Sequence, residues 1–180
     1  MNVLLISAIV FVPMLVEAAR AASNERAQLA RGGVEPPGDV YTTMRIVYPA
    51  AFLAMLIEAA VRPAPPGGVL WTGVALFALA KALKWWAIHA LGSSWTFRVI
   101  VVPGMHLVTS GPYRYLRHPN YVAVVAELVS AAMMTGARMT GPLAVAAFGV
   151  LIAKRMAVEQ RALGRASGSR AGRDAILRRE

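Results

Sequence analysis

The sequence predicts an all-α integral membrane protein, and three observations carry that prediction. Of its 180 residues, 57% are hydrophobic and only 16% charged, against about 25% charged in an ordinary soluble domain. Apolar runs recur at residues 3–19, 44–61, 69–88, 120–137 and 142–153, close to the roughly 20 residues a helix needs to cross a hydrocarbon core about 30 Å thick. The formal net charge of +10 lies between and after these runs rather than on a polar domain, which disfavours a nucleic-acid binder and fits membrane topology.

The first run, in "MNVLLISAIVFVPMLVEAARAAS", lacks the positive n-region of a cleaved leader and is read as a retained spanning helix. The second and third runs are joined by the turn "RPAPPGG" (62–68). Helix three ends in "KALKWW", where Trp85 and Trp86 stand at the height expected of an aromatic belt. The fourth and fifth runs are linked only by "RMTG" (138–141), so they form a helical hairpin. The last run is short but continues without Gly or Pro into "KRMAVEQRAL", so one helix leaves the membrane there with Lys154 and Arg155 at its boundary. Five spanning helices are thus expected in a single domain over residues 1–163, followed by a basic, flexible tail over 164–180 resting on anionic lipid.

Positive charge sets the expected orientation. With the N-terminus outside, Arg20, Arg26, Arg31, Arg45, Arg98, Arg114, Arg117, Lys154, Arg155 and the later arginines lie inside, and only Arg62 and Arg138 lie outside. Residues 92–119 and the tail then share the cytoplasmic face, and a bacterial cytoplasmic membrane is the expected location.

The polar chemistry concentrates between helices three and four. "FRVIVV" and "HLVT" around "PGM" suggest a short hairpin on the membrane surface. "SGP" then turns the chain, and Arg114 and Arg117 share a face if "YRYLRH" is a helical turn. Pro119 fits the first position of helix four, which leaves the N–H groups of Asn120 and Tyr121 free beside Arg117 and His118 as an anion site. No cysteine is present and His89, His106 and His118 lack zinc-cluster spacing, so neither a disulfide framework nor a metal site is expected. No Gly-x-Gly-x-x-Gly follows a strand, so a soluble dinucleotide-type fold has no support either.

"LGSSWTFRVIVVPGMHLVTSGPYRYLRHPNY" together with "KRMAVEQRAL" resembles the isoprenylcysteine carboxyl methyltransferase family, in particular its small bacterial members. The resemblance covers about residues 81–163 and rests on Gly-Pro-Tyr followed by Arg-His-Pro and a Tyr. It implies a membrane enzyme that takes its methyl group from S-adenosylmethionine and a lipid-like substrate from the bilayer. By the same resemblance Tyr113, Arg117, His118 and Tyr121 belong to the cofactor site, joined by Pro119 and Asn120 at the helix start. Arg155 and Glu159 stand where the family places its Arg and first Glu, and with His118 they are the expected catalytic residues.

The cofactor's chemistry agrees with that set. Its carboxylate calls for cationic donors such as Arg117, His118 and the helix-four N-terminus, its ammonium or ribose for Glu159, and its sulfonium and adenine for tyrosine faces. This chain departs from the family in having Gln160 after Glu159, where two glutamates are usual, and in a tail, "GRASGSRAGRDAILRRE", without aromatic residues. Two other classes share such a scaffold: a sterol-type reductase using a nicotinamide cofactor such as NADPH, and a non-catalytic membrane subunit.

Charged residues inside the runs are expected to be functional or paired. Lys81 and Glu127 fall in the same half of helices three and four, so they are expected to approach and form a polar floor that meets the substrate head group. Glu17 and Glu58 are read as lying near helix ends and reaching headgroups, and the small residues Ala126, Ala131, Gly141 and Gly149 as close helix packing.

Overall fold

The computed structural model describes residues 2–104 and 108–177, the segment 162–177 by its backbone alone. It contains five α-helices: α1 (Val3–Ala30), α2 (Tyr41–Val61), α3 (Gly67–Leu91), α4 (Pro119–Thr135) and α5 (Thr140–Leu177). Short 3-10 turns occupy Gly92–Ser94 and Gly111–Arg114. Successive helices run up and down, and no β-strand occurs among the described residues.

Among the described residues, four segments are long and apolar enough to cross a membrane: Val3–Ala30, Tyr41–Val61, Gly67–Ser94 and Thr140–Arg161. The fifth expected span, α4, has 17 residues, about 25 Å at the helical rise. It is packed against α2, α3 and α5. Pro119 opens it as the sequence predicted, and Gly136, in the left-handed conformation at φ 67°, closes it.

Close packing follows the small residues. A Cβ on Gly73 would lie 2.9 Å from Met133 Cβ, and one on Gly141 2.5 Å from Ala132 Cβ, so α4 is seated against both α3 and α5 at near backbone contact. Ala131 is buried, as expected of a packing residue. Gly149 has open space beside it. The apolar core is built from Ile6, Val10, Phe52, Met55, Phe77, Leu128, Met134 and Phe148, while Leu4, Leu15, Ile57, Leu79 and Leu143 point outward. An apolar exterior around an interior that also holds charged residues is the pattern a bilayer selects.

The expected hairpin of "FRVIVV" with "HLVT" does not form in the described residues. Val101 instead pairs with Val34 of the α1–α2 connector in an isolated antiparallel bridge, both N–H···O distances being 3.0 Å. The reason is that this connector lies directly alongside: Asp39 Oδ2 accepts the N–H of Val99 at 3.0 Å, and Arg98 donates to Glu35 at 2.8 Å. The start of "HLVT", including His106, lies outside the described residues. The turn after α3 is held from α1, where Asn24 Nδ2 donates to the carbonyls of Gly92 and Trp95 at 3.1 and 2.8 Å and Gln28 Nε2 to that of Ser93 at 2.9 Å.

The backbone of α5 is helical through Leu177, so the helix continues into the segment read as a tail. Glu58, expected at the headgroups, turns back onto the protein: it accepts the N–H groups of Met139 and Thr140 at 3.1 and 2.8 Å and the Thr140 hydroxyl at 2.7 Å, and it pairs with Arg62 at 2.9 Å. The otherwise unpaired donors at the start of α5 make a better partner for it than water.

Candidate functional site

One end of the bundle gathers the end of α1, the start of α2, the end of α3, the start of α4 and the Arg155–Glu159 turn of α5. Glu159 lies 19 residues beyond Thr140, about 28 Å along the helix, which brings it level with His118 at the start of α4. Tyr121 donates its hydroxyl hydrogen bond to Glu159 Oε1. His118 Nδ1 lies 3.7 Å from Glu159 Oε2, and the His118 and Tyr121 rings stack with centroids 5.4 Å apart. Arg155, one helical turn before Glu159, holds Glu159 Oε1 at 3.4 Å and approaches Asp39 Oδ1 at 3.6 Å, with Met44 Sδ at 3.9 Å on its other side. Arg155 is almost fully buried, so its charge depends on these carboxylates.

Of the residues expected at a cofactor site, the structure therefore brings His118, Tyr121, Arg155 and Glu159 together. Tyr113 is half-buried nearby, and its phenol is pushed up to about 12 by burial and, secondarily, by the charge of Glu159. Pro119 is buried at the helix start. Arg117 is exposed and enters no ion pair among the described residues. Arg114 is likewise exposed, its guanidinium 6.0 Å from the Tyr115 ring centroid, and the 3-10 turn ends before Arg117. The helix start differs from expectation in one respect. Tyr121 N–H is not free but donates to the His118 carbonyl at 3.1 Å, because the first turn tightens. The N–H of Asn120 has no partner among the described hydrogen bonds, and its side-chain Oδ1 is buried without one.

Sequence reasoning missed Asp39. It sits in the turn "EPPGDV", where an aspartate reads as ordinary turn chemistry. It accepts from Tyr41 N–H at 3.1 Å and from Val99 N–H at 3.0 Å and faces Arg155, so it ties two connectors to α5.

An apolar cleft of about 520 Å³ leads away from His118 and Tyr121 along α4, past Val122, Val125, Ala126 and Val129, with Leu76 of α3 and Ile152 of α5 as its sides. The α4 residues recur at helical spacing and form one continuous face. Ala126, expected to be packing, lines this cleft.

The expected approach of Lys81 and Glu127 is present, and it belongs to a larger cluster. Lys81 Nζ lies 3.2 Å from Glu127 Oε1 and 2.8 Å from Glu17 Oε1, and Lys84 Nζ lies 2.7 Å from Glu17 Oε2 and 3.3 Å from Glu127 Oε1. Tyr48 donates to Glu127 Oε2. Two carboxylates and two ammonium groups from α1, α3 and α4, with a phenol from α2, thus neutralise one another in the interior. Glu17 has no exposed surface. The apolar run ends at residue 19, which by sequence puts Glu17 near a helix end, whereas α1 continues to Ala30 and leaves Glu17 in mid-helix. Glu127 lies about 150° around α4 from the cleft-lining face, so the structure does not bring Glu127 or Lys81 onto that cleft.

The donors and acceptors at the α4 start fit S-adenosylmethionine. The orphaned Asn120 Oδ1 and the carboxylate of Glu159 suit its cationic and hydroxyl groups, and the Asn120 N–H with Arg117, which enters no ion pair among the described residues, suits its carboxylate. No group of three or more metal-ligating side chains occurs among the described residues.

Comparison with known proteins identifies the family. The sequence model described as the isoprenylcysteine carboxyl methyltransferase (ICMT) family matches residues 73–165, the stretch from α3 to Glu159 and just beyond. The chain is 31% identical over 160 residues to the uncharacterized protein YpbQ of Bacillus subtilis, covering 88% of this chain and 95% of that one. It is 25% identical over 141 residues to an uncharacterized protein of Haemophilus influenzae, covering 78% of this chain and 82% of that one. No solved structure matches. With the family match spanning more than half its length and falling on the residues that build the site, the chain belongs to the isoprenylcysteine carboxyl methyltransferase family, a family of membrane methyltransferases.

Proposed function

We propose that this protein is a membrane-embedded, S-adenosylmethionine-dependent methyltransferase that acts on a carboxyl or hydroxyl oxygen of a lipid-like substrate, of isoprenoid, phenolic or polyketide type, drawn from the bilayer. The observation that carries this reading is the apolar cleft along α4, which ends at His118 and Tyr121 beside Glu159. An apolar chain lying in that cleft has its polar end at His118 and Tyr121, where ionisable groups of α4 and α5 converge on Glu159.

The bound cofactor supplies an electrophilic methyl carbon, and the transfer is an in-line displacement in which positioning matters most. Asn120 and Glu159 hold the cofactor's cationic and hydroxyl groups, and Arg117 with the α4 N-terminus holds its carboxylate. Arg155 acts through Glu159, fixing the carboxylate by a charge-assisted contact, and is a positioning residue. Tyr113 stays a neutral phenol well above physiological pH and offers a donor and an aromatic face. A carboxylate substrate is already nucleophilic and needs no base. A hydroxyl substrate delivers its proton to His118, which lines the cleft, or to Glu159 beside it.

In this reading α4 crosses as a fifth span shielded by its neighbours. The N-terminus is outside, and the site and the C-terminal part of α5 are on the cytoplasmic side of a bacterial inner membrane. The test is to incubate membranes containing the protein with methyl-labelled S-adenosylmethionine and extract the lipids. Base-labile label in a lipid identifies a methyl ester and base-stable label an ether. Absence of label above an Arg155→Ala, Glu159→Ala control rejects the proposal.

A further inference from the structure

A second cavity, of about 750 Å³, lies at the opposite end of the bundle from His118 and Glu159. Its floor is the same face of α4, now from Val129 to Gly136, and its sides are Val69 of α3 and Val145 of α5. The connector from Arg62 to Pro66 closes its end, with Pro65 packed onto Gly136 so closely that a Cβ there would stand 3.3 Å from the proline ring. Three prolines make that wall stiff.

Almost everything lining this cavity is apolar, apart from two guanidinium groups, Arg62 and Arg138. Arg62 Nε is held by Glu58 at 2.9 Å. Glu58 is also engaged by Met139 and Thr140, so it has no oxygen left for a ligand cation. Arg138 is exposed and enters no ion pair among the described residues. Counting Arg62, Arg138 and Glu58, one positive charge remains. The 25-residue helix α3 begins beside this rim with Pro66 as its N-cap and no side chain capping it, so its unpaired N–H groups add to the positive potential.

We propose that this cavity holds an acyl chain of an anionic phospholipid whose phosphate rests on Arg138, Arg62 and the start of α3. A small anion would satisfy the rim and leave the apolar cavity unfilled. A zwitterionic lipid would bring a cation for which no carboxylate remains free. A second copy of the chain would bring the same formal charge of +10. An anionic lipid answers both features, the guanidinium rim and the apolar depth. The site adjoins the substrate cleft at Val129 but lies at the opposite end from the methyl-transfer chemistry and does not depend on it.

The test uses the full chain, purified in detergent and titrated with phosphatidylglycerol, with phosphatidylcholine of the same acyl chains, and with glycerol phosphate alone, bound lipid being counted by native mass spectrometry. Phosphatidylglycerol is expected to bind roughly fivefold or more tightly than phosphatidylcholine, about the worth of one interfacial arginine. Arg138→Gln should remove that preference, Val69→Trp, which fills the cavity, should weaken both lipids, and glycerol phosphate should not bind. Equal retention of the two lipids, a preference untouched by both substitutions, glycerol phosphate binding as tightly as the lipid, or a dimer that excludes lipid would each overturn the assignment. Arg138 is exposed, so Arg138→Gln is a folding-neutral variant that decides the matter if Val69→Trp does not fold. Because the readout is binding without S-adenosylmethionine, loss of this site and loss of methyltransferase activity are separately visible.

Discussion

Lys81 Nζ lies 3.2 Å from Glu127 Oε1, joining α3 to α4 in the interior of the bundle. With Glu17 and Lys84 completing the cluster, each charge has a partner of opposite sign on another helix. Removing one member leaves a buried charge uncompensated, which costs about 3–5 kcal/mol. Glu17→Gln should therefore lower the thermal stability of the detergent-solubilised protein sharply, and Lys81→Met with Glu17→Leu together should recover part of the loss. A double-mutant cycle on Lys81 and Glu127 should give a coupling of about 0.5–3 kcal/mol, and additive effects would show that the contact carries no energy.

Glu159 is held by Tyr121, Arg155 and His118, whereas Gln160 is exposed. Glu159→Gln is expected to reduce S-adenosylmethionine affinity or turnover far more than Gln160→Glu, which restores the pair usual in the family. Isothermal titration and single-turnover assays check this. Equal effects would mean that Glu159 serves only to hold the helices together.

His118 and Arg117 separate two kinds of contribution. Arg117 has no described ion pair to lose, so Arg117→Ala should leave thermal stability unchanged while weakening cofactor binding by roughly 1.5–3 kcal/mol, the worth of a charged hydrogen bond. His118→Ala removes the ring stacked on Tyr121 and should affect binding and, modestly, stability. Unchanged affinity in both variants would remove the Arg-His-Pro segment from the cofactor site.

Ala126 lines the cleft at its middle. Ala126→Trp is expected to obstruct the apolar chain, reducing lipid methylation roughly tenfold or more while leaving cofactor affinity intact. A parallel loss of both would point to misfolding of α4, and no change in either would place the lipid elsewhere.

Sequence alone determined what depends on composition and local chemistry. Apolar runs located the helices, Pro119 the start of α4, and the motif from Gly111 to Tyr121 the region of the candidate site, because each of these is set by residues adjacent in the chain. The contact of Lys81 with Glu127 was also legible, since a charge at a given depth in a helix needs a partner at a similar depth.

What the tertiary structure decided are the partners chosen by packing. Glu17 reads as a helix-end residue until α1 is known to continue to Ala30, and Tyr48 is hidden in an apolar run until its hydroxyl meets Glu127. Asp39 looks like a turn residue until two connectors and Arg155 converge on it. Val101 had a local strand partner on paper and pairs with Val34 instead. In each case a buried polar group must be satisfied by whatever lies beside it, and which groups lie side by side is set by how five helices pack, not by any one segment.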